Sequence, residues 1–447
     1  MNPGRPTLAI LPWGTVFEEY LDPLGISLEE FRTQVTDGWL FNYVRALDAT
    51  GIDATIILVS TSIRTPLHRV HEPTGCGFVA LPAPVGLRSI HKARKFKRTS
   101  FDGGSRGTQG GTGGESGSRP RRSFGVPDAV YRMLVPTRAL ESAISEAGCQ
   151  GILCQEYEDV RFDASVEIGR KVGIPTFGIF QGGKLRTVQP DHTRTRAIQG
   201  CAGLIIGSRE EAARVRGTYG VEDERIAPLP NPVHTCRNRN EPRAEVRSRL
   251  GLHQEARVAA WHGRIMRWKK GLDILVDAWR RLGASPERCQ LLLVGWGSDG
   301  EWLREEIRAE LESGSIRWVD RFVRDRSELC GYLSATDLYV FPSRHEGFPV
   351  APLEAMSLGL PMIGGEAQGV DEILEVPERD GGVRVSGEDS AGLAEALRTL
   401  LEDRERSRAL GEAARQRVEE HFSVEAVGSQ LSSWLRGRGF PRSGSAE

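Results

Sequence analysis

The sequence predicts an α/β fold made of two doubly wound units, each a parallel sheet covered by helices on both faces. Three observations carry this. Segments such as 54–59 and 290–295 are apolar without alternation, the pattern of strands buried on both sides. Helical stripes separate them, and a strand–helix–strand order is what parallel neighbours require. The same plan then runs a second time, and 447 residues are too many for one core.

In the first half, 7–12 reads as a strand and a long loop with Gly14 and Gly38 follows. Residues 39–50 form a helix with Leu40, Tyr43, Val44 and Leu47 on one stripe, stopped by Gly51. Strands follow at 54–59 and 77–81. The segment 88–98 carries six Lys or Arg around Phe96, and 102–123 has no aliphatic or aromatic residue. Residues 99–123 are therefore expected to be a flexible glycine-rich loop. Helix 127–148 should break at Pro136. Strands 151–154 and 175–180 flank helix 163–172. Strand 204–207 leads into Ser208-Arg-Glu-Glu211, a capping box opening a helix to Tyr219. Residues 226–233 close this half as a hinge.

The second half gives strands at 257–262, 290–295, 316–319, 337–341 and 361–364. Helices are expected at 272–282, 302–311, 329–335, 390–401, 405–421 and 422–435. The organisation expected is a first domain over 1–232, a second over 233–421, and a terminal helix with its tail over 422–447.

Composition narrows the function. With 39% hydrophobic and 27% charged residues the chain is globular, and 59 Lys plus Arg against 60 Asp plus Glu give no overall field toward nucleic acid. Seven scattered cysteines lack metal-ligand spacing, which favours a reduced, cytoplasmic protein. No apolar stretch reaches the ~20 residues of a membrane span. The basic flank Arg88–Arg98 leaves a peripheral contact with an anionic lipid surface as the sharper alternative to a solvated face.

The stretch Phe341-Pro-Ser-Arg-His-Glu-Gly-Phe-Pro-Val-Ala-Pro-Leu-Glu-Ala-Met-Ser-Leu-Gly359 organises the rest. A strand runs into a polar turn and a helix starts near Pro349, with Glu346 and Glu354 eight positions apart across that start. Free amides and the positive end of a helix suit a phosphate. Upstream, Gly263-Arg264 is followed six positions later by Lys270-Gly271, a planar fork and a point charge that both suit phosphate oxygens. No two aspartates stand two apart, so no Asp-x-Asp pair is there to hold a metal.

Glu346 and Glu354 with seven residues between them, set in Pro-Ser-x-x-Glu-Gly-Phe and Leu-Glu-Ala-Met, resemble the signature of retaining GT-B glycosyltransferases of family 4, glycosyl transferases group 1. Gly-Arg-x5-Lys-Gly resembles the same family a second time. The resemblance implies two Rossmann-like domains with parallel sheets facing across a cleft, and a C-terminal helix crossing back to the first domain. It implies transfer of a sugar from a nucleoside-diphosphate donor to an acceptor hydroxyl, with retention, no metal and no other cofactor. Glu346, Arg264 and Lys270 would be catalytic. Glu354, Gly347, Phe348, Pro349 and Val350 would bind the donor, with Gly295 and Gly297 on the nucleotide side. Gly14, Gly38 and Gln181 are candidate acceptor or sugar contacts.

The first domain departs from the family. The glycine pair right after the opening strand is missing, Gln181 stands where relatives often carry a histidine, and Gly-Gly-x-x-Glu appears as Gln368-Gly-Val-Asp-Glu372. An impaired paralogue that binds nucleotide or glycan as a partner subunit is therefore the alternative. The acceptor, whether glycan, lipid-linked or small molecule, is not specified by the sequence.

Overall fold

A computed structural model describes residues 4–12, 14–36, 38–102, 128–182, 191–235 and 241–442. The expected glycine-rich loop lies, from residue 103 on, outside the described residues. Strands β1 (Thr7–Leu11), β2 (Asp53–Ser60), β3 (Leu67–Val70), β4 (Gly77–Pro82), β5 (Cys149–Gln155), β6 (Thr176–Ile179), β7 (Gly203–Ile205) and β8 (Ile226–Ala227) form one sheet, ordered β3-β4-β2-β1-β5-β6-β7-β8. Strands β9 (Arg257–His262), β10 (Cys289–Val294), β11 (Ile316–Val319), β12 (Leu338–Phe341), β13 (Met362–Gly364) and β14 (Gly382–Arg384) form the other, ordered β11-β10-β9-β12-β13-β14. Every pairing is parallel except β3 with β4. This is the GT-B arrangement the resemblance implies.

Both faces of each sheet are covered, which is why the strands are apolar throughout. In β1, Ala9 and Leu11 pack into one core layer while Leu8 and Ile10 pack into the other. In β12, Tyr339 and Phe341 face one layer and Leu338 and Val340 the opposite one. The last helix, Val424–Arg436, belongs to the first domain's core: Leu431 and Leu435 join the layer that holds Leu8 and Ile10. Its Gly428 lies so close to the helix Trp39–Asp48 that a Cβ there would meet the Ala46 carbonyl oxygen at 2.6 Å. The hinge is tied to the same return: Val233 N donates to Phe422 O (2.7 Å) and Val424 N to Val233 O (3.1 Å).

Several elements differ from the sequence expectations. The loop after β1 holds helices Glu18–Leu21 and Leu28–Gln34, the second opened by a complete capping box of Ser27 and Glu30. The box expected at Ser208 is only half formed. Ser208 Oγ accepts from Glu211 N, but the Glu211 carboxylate turns inward to Tyr157 and Arg214. Residues 302–311 split into helices Gly300–Glu306 and Arg308–Ser313. Edge strand β3 and helix His192–Gly200 are too polar to show an apolar period. The cysteines are not all thiols as expected: five are free and buried, whereas Cys330 is disulfide-bonded.

The basic flank lies on helix Val85–Asp102. Arg88 points inward and donates to the carbonyls of Ala83, Thr61 and Ile63. Arg94 pairs with Glu19 and Lys95 with Asp22, each at 3.0 Å. Of the four cations whose side chains are described, Arg88, Arg94 and Lys95 are thus engaged within the fold. No helix among the described residues is long and apolar enough to cross a membrane.

Candidate active site

The second sheet changes direction between β9 and β12, and in open parallel sheets ligands bind outside the carboxyl ends of the strands at such a point. The two loops that leave there carry the two motifs. They are joined backbone to backbone. Gly271 has φ +61°, and a Cβ on it would lie 1.9 Å from the Pro342 carbonyl oxygen. Arg344 N donates to Lys269 O (3.0 Å), and the Arg344 guanidinium reaches Trp268 O (2.8 Å) and Asp273 (2.8 Å). Glycine at 271 is therefore what lets the basic loop dock on the loop after β12.

Docking places Lys270 Nζ 2.5 Å from Glu346 Oε1, with both side chains mostly shielded from solvent. Arg264 is exposed and makes no ion pair among the described residues, so its fork remains open to an anion. Burial pushes Lys269 down from its ordinary value, Glu346 opposes this, and Lys270 and Arg264 add to it. Burial and Lys269 likewise push His345 down. Lys269, Lys270 and Arg264 thus gather positive charge around Glu346.

Helix Ala351–Ser357 begins after Val350, close to the start expected near Pro349, with Pro352 inside its first turn. Glu354 faces inward. Its Oε1 accepts from Arg326 (2.6 Å) and its Oε2 lies 2.9 Å from His262 Nε2. Burial pushes the Glu354 carboxyl up, but Arg326 and His262 more than offset it and hold it below its ordinary value. The carboxylate assigned to ribose is thus held by the protein itself. Gly295 and Gly297 serve loop packing: a Cβ at either would lie 1.9 Å from Gly263 O or 2.2 Å from Ile265 O.

The first domain meets this site at Gln181-Gly182. A Cβ on Gly182 would lie 2.6 Å from Gly347 N, so the domains touch at the central motif. Gln181 does not point into open space. It exchanges hydrogen bonds with Asn231 (2.6 and 2.9 Å), and Asn231 also donates to Phe348 O (2.9 Å). The Gln368 amide, oriented so that both ends are satisfied, donates to Glu346 O (3.0 Å) and accepts from Ser208 Oγ and Glu211 N. Glu372 accepts from Arg209 N at 2.7 Å, capping a first-domain helix from the second domain. Gly14, at φ +92°, makes the turn after β1 and accepts from Arg161 at 2.8 Å. Gly38 precedes the helix Trp39–Asp48 and borders an aromatic hollow of Phe17, Tyr20, Phe31, Trp39 and Phe41.

Sequence reasoning missed His262 and Arg326, and named Gln368 only as a departure from the family's Gly-Gly-x-x-Glu. Asn231 it saw only as part of a hinge. His262 and Arg326 lie outside the motifs, and each of the four acts on a residue far away in the chain.

Residues 256–403 match the family model of glycosyl transferases group 1. That span contains both loops of the site. The chain therefore combines a GT-B fold with a second domain that matches the glycosyl transferases group 1 model over those residues. Among curated relatives, it is 30% identical over 203 residues to a GDP-mannose-dependent monoacylated alpha-(1-6)-phosphatidylinositol monomannoside mannosyltransferase of Corynebacterium glutamicum, covering 44% of this chain and 51% of the relative. It is 32% identical over 217 residues to a D-inositol 3-phosphate glycosyltransferase of Nocardia farcinica, covering 46% and 47%. The chain thus spans about half the length of the curated relatives it matches. Over nearly its whole length it shares the fold of sucrose-phosphate synthase from Thermosynechococcus elongatus (TM-score 0.65, 20% identity, 97% and 99% covered). The same holds for Anabaena HepE in complex with UDP (TM-score 0.64, 14% identity, 97% and 100% covered).

Proposed function

We propose that this protein is a glycosyltransferase that moves a sugar from a nucleoside-diphosphate donor to an acceptor hydroxyl, with retention and without a metal. The observation that carries the reading is the Lys270–Glu346 pair at the strand-order reversal, beside the open guanidinium of Arg264. Arg264 and Lys270 supply the positive charge a diphosphate needs and stabilise it as it leaves. Glu346 holds the donor sugar near the developing oxocarbenium-like centre. Backbone amides of Gly347, Phe348 and Val350 line the phosphate side, and Glu354 anchors the ribose once Arg326 and His262 share it. The second domain, about 233–421, takes the donor and the first takes the acceptor.

Calorimetric titration of UDP, GDP, ADP and TDP, with and without magnesium, tests this on wild type and Lys270→Ala. One nucleotide binding equally well without magnesium, and at least tenfold more weakly to the variant, is expected. No binding by wild type at millimolar concentration refutes it. A second reading, a binding subunit without turnover, is favoured by the occupied carboxylate of Glu354. It predicts nucleotide binding with no consumption of any nucleotide sugar. A peripheral contact with anionic lipid through Arg88–Arg98 is retained as a subsidiary proposal on the exposed Lys92. Vesicle binding that survives Lys92→Glu and Lys97→Glu together would dismiss it.

A further inference from the structure

Four tryptophans lie in or beside the loops that carry the site's cations. Trp268 is in the basic loop, Trp296 follows β10, Trp302 is in the next helix and Trp318 is in β11. Three of them are covered by arginine. The Arg267 guanidinium lies 4.7 Å from the Trp302 ring centre, that of Arg304 lies 5.4 Å from Trp318, and that of Arg344 lies 5.8 Å from Trp268. Trp318 is anchored further by its Nε1, which donates to Gly295 O (2.9 Å). Trp296 is 43% exposed, and its indole has no ring, cation or hydrogen-bond partner among the described residues. Where every neighbouring indole is covered, this one keeps an open face, and an aromatic face suits a flat or cationic partner.

The fold fixes where Trp296 stands. Its carbonyl oxygen accepts from Ile265 N (3.1 Å), the residue after Arg264. The glycines on either side pack as tightly, Gly295 against Gly263 O and Gly297 against Ile265 O. Gly295 N donates to Val319 O (3.0 Å), and Asp299 accepts from Arg267 N (2.6 Å), so the turn is tied down on both flanks. Trp296 is therefore held beside the loop that presents Arg264. Strands β12, β9 and β10 are successive neighbours in the second sheet, and the loops leaving their carboxyl ends carry Glu346, Arg264 and Trp296 in that order. A nucleoside-diphosphate sugar presents sugar, diphosphate and base in the same order.

We infer that Trp296 is the platform on which the base of the donor nucleotide stacks. The assignment rests on the glycosyl-transfer reading above and adds to it the residue that holds the base. Every base has a π face, and stacking it on an aromatic side chain raises affinity by about tenfold. The open face of the indole is then covered when the nucleotide binds, as arginine covers the rings around it. Glycine on both sides leaves no flanking side chain to obstruct that face. An indole has few rotatable bonds and stands on a backbone already fixed, so little freedom is lost on binding. Trp296 grips the base and not the diphosphate, which separates its contribution from those of Arg264 and Lys270.

The test titrates full-length wild type, Trp296→Ala and Trp296→Phe calorimetrically with UDP, GDP, ADP and TDP, and with inorganic pyrophosphate, which has no base. Trp296→Ala should bind the nucleoside diphosphate that wild type prefers about tenfold or more weakly. It should bind pyrophosphate within about twofold of wild type, with an unchanged Tm, because the side chain it removes is exposed. Trp296→Phe keeps an aromatic face and should stay within about threefold of wild type for the nucleotide. Saturating nucleotide should also quench part of the tryptophan fluorescence of wild type, and that part should be missing from Trp296→Ala. Lys270→Ala is the contrast, since it should weaken pyrophosphate and nucleotide alike. Nucleotide affinity of Trp296→Ala within about threefold of wild type overturns the assignment. So does an equal loss for pyrophosphate and nucleotide, which marks the indole as a support of its loop. If wild type binds none of the nucleoside diphosphates, the glycosyl-transfer reading has failed and takes the assignment with it.

Discussion

Replacing Arg326 by Met removes the cation from a buried ion pair and leaves Glu354 with His262 alone. Arg326 and Glu354 are each 7% exposed at the side chain and 2.6 Å apart. Removing one partner of such a pair costs about 3–5 kcal/mol, because the remaining charge stays out of water uncompensated. The pH dependence separates this cause from lost packing. In wild type the folded Glu354 carboxyl titrates below its unfolded value of ~4.3, so its contribution is complete above that pH and is lost as pH falls through the lower folded value. Without Arg326 the burial that opposes ionisation is no longer offset, and the folded value moves above the unfolded one. The carboxylate then imposes a penalty at neutral pH that fades on acidification. Urea unfolding followed by tryptophan fluorescence should show a wild-type to variant gap of about 3–5 kcal/mol at pH 7, smaller by ~1 kcal/mol or more at pH 5. The double variant Arg326→Met with Glu354→Gln should recover part of the loss. A gap under ~1 kcal/mol, or one identical at both pH values, refutes the reasoning.

Three further outcomes follow from the same geometry. Glu346→Gln should leave nucleotide affinity within a few fold and lower donor turnover by roughly one to two powers of ten, measured as nucleoside diphosphate released. Gly271→Ala combines a positive φ with a Cβ 1.9 Å from Pro342 O. It should cost about 2–4 kcal/mol in urea unfolding and weaken nucleotide binding by displacing Lys270, whereas Gly283→Ala, with no close contact at its Cβ, should cost only about 1 kcal/mol. Arg88→Ala strands three carbonyls that it now satisfies and should lower stability by about 2–4 kcal/mol without altering nucleotide affinity in calorimetry.

Alternation of fully apolar segments with amphipathic helices was enough to read two parallel sheets, because a strand buried on both faces has no polar side to show. Residues 263–271 and 341–359 were legible as a site for a related reason: charge and glycine fall within a few residues of a strand end, where the chain must turn toward a ligand. Edge strand β3 and helix His192–Gly200 escaped, since each is too exposed to carry an apolar period. What the sequence by itself determined is therefore local: strand, loop, cation and carboxylate in order. Tertiary structure alone decided which of them meet. It drew His262 and Arg326 onto Glu354, turned Gln181 toward Asn231, and set Glu156 in a strained turn opposite Lys269. Those partners lie tens of residues apart along the chain, and their contacts exist only because parallel strands deliver every loop to the same end of a sheet.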